Sequence, residues 1–397
     1  MKILVADKLS NLVLESLQQS SIEVEYCPDL SADELPSRIA GYNVLVVRST
    51  KVTAATIDSA DDLSLIVRAG AGVNTIDVAA ASTHGIYVTN CPGMNSTAVA
   101  ELAIGLLIAC DRRIADATSE LRSGRWNKKE FSKSGGLKGR TLGILGMGQI
   151  GQAVANRARG LEMNVIAFSR SLTPERADDL GVECMNSPTE VAANSDAVSI
   201  HLAAAPETQH LVDAKFLAAM RDGAILINTS RGDLIDTAAL KDAIQSKSLR
   251  VGLDVYENEP GSGTADFSDT DLANIVTATP HIGASTDQAS EAIASEVLRI
   301  INTFRETGRP PNAVNMCART PATHSLVIRH YNRVGVLASV LDSLREEDIN
   351  VEEMENTIFD GASAACCTLQ LDQPPSKRLL DNLAKLGHIL QVHLEAR

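Results

Sequence analysis

Three side chains able to do proton and carboxylate chemistry stand directly behind strand-like runs in the second half of the chain. Arg231 follows ILINTS, Glu259 follows LDVYEN and His281 follows IVTATP. An imidazole can take or return a hydroxyl proton, a carboxylate can set that imidazole's pKa, and a guanidinium can bind a carboxylate substrate. Together with a nicotinamide cofactor, this is the equipment of hydride transfer. Each residue alone also reads as a surface arginine, a loop acid or a loop histidine. Three in consecutive strand-end loops, where open α/β sheets bind ligands, are harder to dismiss.

The cofactor signal lies upstream. In TLGILGMGQIG a strand runs straight into Gly146, Gly148 and Gly151 at GxGxxG spacing, and a helix follows from Gln152 to Arg159. Dinucleotide binding needs that order: a tight turn, close backbone approach to the pyrophosphate, and a helix N-terminus facing the anion. The next strand, NVIAF, leads into Ser169 and Arg170, where an acidic residue would accept the ribose hydroxyls of NAD. A hydroxyl and a guanidinium suit a 2′-phosphate, so NADP stands open beside NAD. Arg170 also reads as a solvated charge stacking on adenine.

These residues need parallel strands to position them. KILVA, NVLVV, LIVRAG, IYVTN, and later TLGILG, NVIAF, AVSIHL, AILINTS, RVGLDVY and NIVTATP are short, β-branched and apolar on both faces. That is the pattern of strands covered by helices on each side. They form two series, separated by a long apolar helix after Asn95-Ser96, a polar pair able to cap its start. A helix from Gln288 to Phe304 closes this part. Residues 305–323 have turn chemistry and read as a linker. Beyond them SLVIRH, a helix with Leu337, Val340, Leu341 and Leu344, two further strands, a helix from Ser376 to Leu386 and ILQVHL give βαββαβ. The expected fold is α/β: two doubly wound parallel-sheet units, flavodoxin-like and Rossmann, and a ferredoxin-like C-terminal unit. The expected division is 1–95 with 286–320 for substrate, 96–285 for NAD(P), and 321–397 for regulation.

Composition agrees with such a fold and excludes other classes. Of 397 residues 36 are basic and 50 acidic, a net charge of −14, which opposes a nucleic-acid or anionic-membrane surface. A local basic pocket for a small anion stays open. The seven cysteines (Cys27, Cys91, Cys110, Cys184, Cys317, Cys366 and Cys367) are scattered, without metal-ligand spacing, and fit reduced thiols in the cytoplasm. No metal is expected. MKILVA reads as a strand without a signal peptide before it, and the apolar run Leu102 to Cys110 is far below the ~18 residues of a membrane span.

GGLKGRTLGILGMGQIG, INTSRGDLID, LDVYENEP and TPHIGAST resemble the signature segments of the D-isomer-specific 2-hydroxyacid dehydrogenases. With the C-terminal unit added, the chain is similar over essentially its whole length to the branch that oxidises 3-phospho-D-glycerate and opens L-serine biosynthesis. The resemblance implies that His281 exchanges the proton on the C2 oxygen, Glu259 bonds its other ring nitrogen and raises its pKa, and Arg231 orients carboxylate and carbonyl. It places Ala71, Gly72, Val73 and Asn74 of RAGAGVNTID near substrate or nicotinamide. Thr229, Ser230 and Arg231 would line the nicotinamide side and Asp254 would meet its carboxamide, with His281, Gly283 and Ala284 close by. Gln149 and Ile150 would offer backbone N–H groups to pyrophosphate, while His201 and Leu202 would flank adenosine. Ser169 stands where the family has Asp, which puts strict NAD use in doubt.

Arg48-Ser49-Thr50-Lys51 resembles the segment that holds the substrate phosphate, with a solvent-facing turn as the alternative. The C-terminal unit is similar to ACT modules that bind amino acids at paired interfaces. The residues matching a serine site are His330, Asn332 and Asn350, with Gly335 allowing close approach and Val334 where Pro is usual. A dimerisation module without ligand is the alternative there. The resemblance implies a homodimer or homotetramer. Two rival functions remain: an NADPH-dependent glyoxylate or hydroxypyruvate reductase, which Ser169-Arg170 favours, and a cofactor-sensing binding protein like the corepressors built on this scaffold.

Overall fold

The computed structural model describes residues 1–9, 11–19, 22–260, 264–317 and 319–396. Ala318, within the expected linker, lies outside the described residues. By its contacts the chain divides into two compact units, Met1–Asn315 and Met316–Arg397.

The first unit holds two parallel sheets. One contains β1 (Lys2–Val5), β2 (Glu23–Tyr26), β3 (Val44–Val47), β4 (Leu65–Arg68) and β5 (Tyr87–Thr89) in the order β2-β1-β3-β4-β5. The other contains β6 (Thr141–Leu145), β7 (Asn164–Phe168), β8 (Glu183–Cys184), β9 (Ala197–Ile200), β10 (Ile225–Asn228), β11 (Arg250–Leu253) and β12 (Thr277–Ala278) in the order β12-β11-β10-β9-β6-β7-β8. These are the flavodoxin-like and Rossmann orders, and each reverses direction at one place: between β1 and β3, and between β6 and β9.

The apolar runs serve both faces of each sheet. On β3, Val44 and Val46 pack with Ile293, Val297 and Ile300 of the helix Asp287–Thr307, while Leu45 and Val47 face Leu35, Ile57 and Ala81 on the other side. The helix Ser96–Arg112 buries Ala100, Ala103, Leu106 and Leu107 against Leu142, Ile144, Ile225 and Ile227, so it belongs to the second sheet. Asn95 occupies the N-cap position of that helix, but its side chain makes no capping bond, and its Oδ1 is buried without a partner.

The linker expectation is corrected at its start. Residues 305–307 continue the preceding helix, which ends on Gly308 at φ 70°. Ala313 bridges Thr89, the Val314 N–H donates to the Val88 carbonyl (2.8 Å), and the Val88 N–H donates to Asn315 Oδ1 (2.9 Å). The edge of β5 has unpaired backbone groups, and these residues satisfy them.

The second unit is an antiparallel sheet of β13 (His324–Tyr331), β14 (Val351–Ile358), β15 (Ala364–Leu371) and β16 (Ile389–Ala396), ordered β14-β15-β13-β16. Leu326, Ile328, Cys367 and Leu369 pack under Val336, Val340 and Leu344 of one helix and Leu379 and Leu383 of the other. This is the ferredoxin-like arrangement.

Candidate active site

The second sheet's reversal point carries the glycine motif. Gly146 leaves β6 at φ 98°, and a Cβ there would collide with the His201 carbonyl oxygen, so the turn accepts glycine alone. A Cβ on Gly151 would strike the Gly146 carbonyl, while the space around Gly148 is open. The helix Gln149–Gly160 starts immediately after Gly148, which caps it without a side chain. Its first N–H groups, Gln149 and Ile150 among them, have no intrahelical acceptor and no capping side chain. His201 continues β9, its Nε2 paired with Ser199 Oγ (2.8 Å) and its Nδ1 buried without a partner. Burial pushes that imidazole down to about 3. Leu202 packs into the core, and Thr229 Oγ1 is also buried without a partner. Glycine cradle, free helix N-terminus and enclosed unpartnered polar atoms fit a dinucleotide. Ser169 and the exposed Arg170 lie in the turn after β7, with the Ser169 carbonyl accepting the Leu172 N–H (3.0 Å).

The three strand-end residues lie in loops that touch one another. His281 Nδ1 pairs with Glu259 Oε2 at 2.6 Å, and Glu259 Oε1 accepts the Tyr256 N–H at 2.9 Å. Burial alone would raise the Glu259 pKa, but the bonds from His281 and Tyr256 and the charge of Arg231 outweigh it and hold the carboxyl below its usual range. The pairing with Glu259 is through Nδ1, on the side of the ring opposite Nε2. His281 has φ 52°, a left-handed conformation rare outside glycine, and its N–H is held by the Asp254 carbonyl (2.8 Å).

Asp254 is 1% exposed and holds the rest of the loop: Oδ1 accepts Thr279 Oγ1–H (2.6 Å) and the Ile282 N–H (2.8 Å), and Oδ2 accepts the Gly283 N–H (2.8 Å). Its carboxylate therefore shapes the His281 loop, where the resemblance alone put it against the cofactor carboxamide. Ala284 lies on the cleft wall beyond.

Arg231 stands in a loop braced by Asn228, whose Nδ2 donates to the Arg231 carbonyl (2.8 Å), and Ser230, whose Oγ donates to the Ile200 carbonyl (2.6 Å). A Cβ on Gly232 would strike the Tyr256 carbonyl, so the Arg231 and Glu259 loops touch through backbone. The Arg231 guanidinium lies over Gly72, in the expected Ala71–Asn74 loop, and Asn90 Nδ2 holds the Ala71 carbonyl (2.5 Å). Val73 packs inward against the first sheet and Asn74 is exposed.

A cleft of about 880 Å³ lies beside the His281–Glu259 pair, lined by Asp7, Arg48, Arg68, Asn95, Glu259 and His281 among others. Ser49 is on its wall, whereas Lys51 is exposed and is not part of that wall. Two wall residues escape sequence reasoning. Arg68 ends LIVR as a strand residue would; its Nε is buried without a partner, and burial together with the charges of Arg231 and Arg48 pulls it down to about 10. Asn95 reads as a helix cap, yet its Oδ1 is free. The signal for both was present: a charge in a buried strand, and a cap two residues after a glycine at positive φ.

The C-terminal residues separate. His330 is buried and bonds Asn356 Oδ1 through Nε2 (3.2 Å), and Asn332 donates to the Ala362 carbonyl (3.1 Å) at the same end of the sheet. Asn350 precedes β14, whose first residue, Val351, pairs with Leu371; Leu371 also pairs with His324, at the opposite end of β13 from His330. One copy does not bring Asn350 to the other two. Gly335 starts the helix at φ 86°, and Val334 is fully exposed.

Fold and cleft together define an α/β oxidoreductase with a dinucleotide crevice beside a histidine–carboxylate pair. Residues 104–283 match the D-isomer specific 2-hydroxyacid dehydrogenase, NAD binding domain. The chain is 41% identical to the hydroxypyruvate reductase of Thermotoga maritima over 304 residues, 76% of this chain and 96% of that one. It is 40% identical to the D-3-phosphoglycerate dehydrogenase of Methanocaldococcus jannaschii over 317 residues, 79% of this chain and 59% of that one. Among solved structures, the NADPH-dependent glyoxylate/hydroxypyruvate reductase of Sinorhizobium meliloti, in complex with NADP and malonate, matches at TM-score 0.68 and 29% identity, covering 79% of this chain and 96% of that one. The chain belongs to the D-isomer specific 2-hydroxyacid dehydrogenase family, whose NAD-binding domain forms its second sheet. It spans about three fifths of the length of the phosphoglycerate dehydrogenases it matches. Among the described residues, no helix is long and apolar enough to cross a membrane.

Proposed function

We propose that the chain is a D-3-phosphoglycerate dehydrogenase, oxidising 3-phospho-D-glycerate to 3-phosphohydroxypyruvate with NAD or NADP, the first step of L-serine biosynthesis. The observation that carries this reading is the grouping of Arg48 and Arg68 with the His281–Glu259 pair around one cleft, with Arg231 near enough to Arg68 and Glu259 for its charge to act on both. A substrate with a carboxylate at one end and a phosphate at the other has a cation for each.

Gly146, Gly148, Gly151 and the N–H groups of Gln149 and Ile150 would hold the dinucleotide, whose nicotinamide supplies the hydride acceptor. Arg231 binds the carboxylate and turns C2 toward His281. His281 Nε2 takes the C2 hydroxyl proton as hydride leaves C2, so that O–H and C–H bonds break and a carbonyl forms. The positive charge that develops on the ring is met by Glu259, which its low pKa keeps ionised at neutral pH. Asp254 fixes the loop so that the ring need not search for its position.

A second reading, an NADPH-linked glyoxylate or hydroxypyruvate reductase, draws support from Ser169-Arg170 and from the reductases among the relatives. The C-terminal unit favours the first reading. Because Asn350 lies away from His330 and Asn332 in one copy, a serine site made of all three needs two copies side by side, which accords with a homodimer or homotetramer. The deciding experiment measures steady-state rates with 3-phosphoglycerate, phosphohydroxypyruvate and glyoxylate, each with both cofactors. The proposal expects the highest kcat/KM for the phosphorylated pair; equal or better use of glyoxylate overturns it.

A further inference from the structure

We infer that Asp7 is a built-in anion of the substrate cleft: it fills the backbone anion nest after β3 and fixes the loop carrying Arg48, so that the substrate's remote phosphate must bind arginine side chains instead. This rests on the proposed function and concerns how its cleft selects a doubly anionic substrate.

Asp7 lies two residues past β1, beside the first sheet's reversal point, where a parallel sheet presents its ligand crevice. Its Oδ2 accepts three successive backbone N–H groups: Arg48 at 2.6 Å, Ser49 at 2.9 Å and Thr50 at 2.9 Å. Three amides converging on one oxygen make a nest suited to a phosphate or carboxylate. Here its occupant is the chain's own carboxylate. Thr50 Oγ1 also donates to the Ala6 carbonyl (3.3 Å), so the loop is stitched to the end of β1 at two points.

The arrangement has two consequences. A substrate phosphate finds the amides taken and a like charge in front of them, which directs it to the guanidinium ends of Arg48 and Arg68 on the same cleft wall. Asp7 also places negative charge on the wall beside Arg68, where it opposes the repulsion that Arg231 and Arg48 exert on that guanidinium. Without Asp7, three N–H groups of the Arg48 loop lose their acceptor and the loop keeps only the Thr50–Ala6 bond to the end of β1.

The test compares wild type, Asp7→Asn and Asp7→Ala on phosphohydroxypyruvate and hydroxypyruvate, which differ in the phosphoryl group alone, at saturating NADH. NADH dissociation constants for each variant report on the second sheet. In Asp7→Ala the ratio of kcat/KM for the phosphorylated over the plain substrate is expected to fall at least tenfold, through KM. Asp7→Asn, whose amide oxygen can still accept the N–H groups, is expected to fall between Ala and wild type. A ratio within twofold of wild type in both variants overturns the inference. Should Asp7→Ala not fold, Asp7→Asn decides: a threefold or larger fall supports the inference and a smaller one overturns it. A wild type without preference for the phosphorylated substrate overturns the proposed function itself, and this inference with it.

Discussion

The reversal points of the two parallel sheets treat anions in opposite ways. After β6 the chain strips side chains away: Gly146 has no room for a Cβ, Gly148 caps a helix without a side chain, and the first N–H groups of that helix stay free. After β3 the backbone amides are already bonded to Asp7, and the free cations are the side chains of Arg48 and Arg68. Backbone amides suit a ligand that is always the same, such as a pyrophosphate. Side chains can be exchanged without disturbing a turn, and they suit a crevice whose substrate varies between relatives. The loops of Arg231, Glu259 and His281 are anchored by Asp254 and by the close approach of Gly232 to Tyr256.

The largest effect should come from these loops. His281→Ala is expected to lower kcat by about 10²–10⁴-fold, with NADH affinity close to wild type; near-normal turnover would remove the residue from the mechanism. On the cofactor side, Gly146→Val forces a side chain into the His201 carbonyl and into a positive-φ turn. NADH titration should show binding weakened by about 100-fold, roughly the loss of a charge-assisted bond or two. Retained affinity would mean that the glycine turn does not seat the dinucleotide.

A smaller effect concerns stability beneath the cofactor crevice. The His201 imidazole sits at about 3 when folded, against about 6.5 in an unfolded chain. The unfolded state therefore binds the proton first as pH falls, so the stability associated with a neutral His201 is complete above pH 6.5 and is lost progressively down to pH 3. Between pH 7 and pH 5 this costs about 2 kcal/mol. Urea unfolding of wild type and His201→Asn at both pH values should show the Asn variant losing less stability by about that amount. Equal losses would place the ring in a wetter site.

Much of this was legible in the sequence because parallel strands leave a plain trace. Ten short β-branched runs marked ten of the twelve parallel strands, and the residues just behind them were the ones the loops bring into contact. The strand Glu23–Tyr26 was hidden by its alternating glutamates on a sheet edge, and Glu183–Cys184 by its two-residue length. Arg68 was hidden because a charge at a strand end reads as the end of burial; here it turns into the cleft instead. Asp7 was hidden for a different reason: its partners are 41 to 43 residues away, and a backbone N–H carries no mark of what it will bond. The position of Asn350 relative to His330 depended on strand register, which composition does not reveal.

Arg48 and Arg68 give the cleft its cationic wall, with Arg231 near Arg68, and Arg68 tests the role of that wall most directly. The measurement is the ratio of kcat/KM for phosphohydroxypyruvate over hydroxypyruvate in wild type and in Arg68→Gln, which keeps polar length and removes the charge. The account predicts a wild-type preference for the phosphorylated substrate that falls about tenfold or more in the variant, the scale of one charge-assisted bond. An unchanged ratio would contradict it, and would return Arg68 to the role of a buried strand residue.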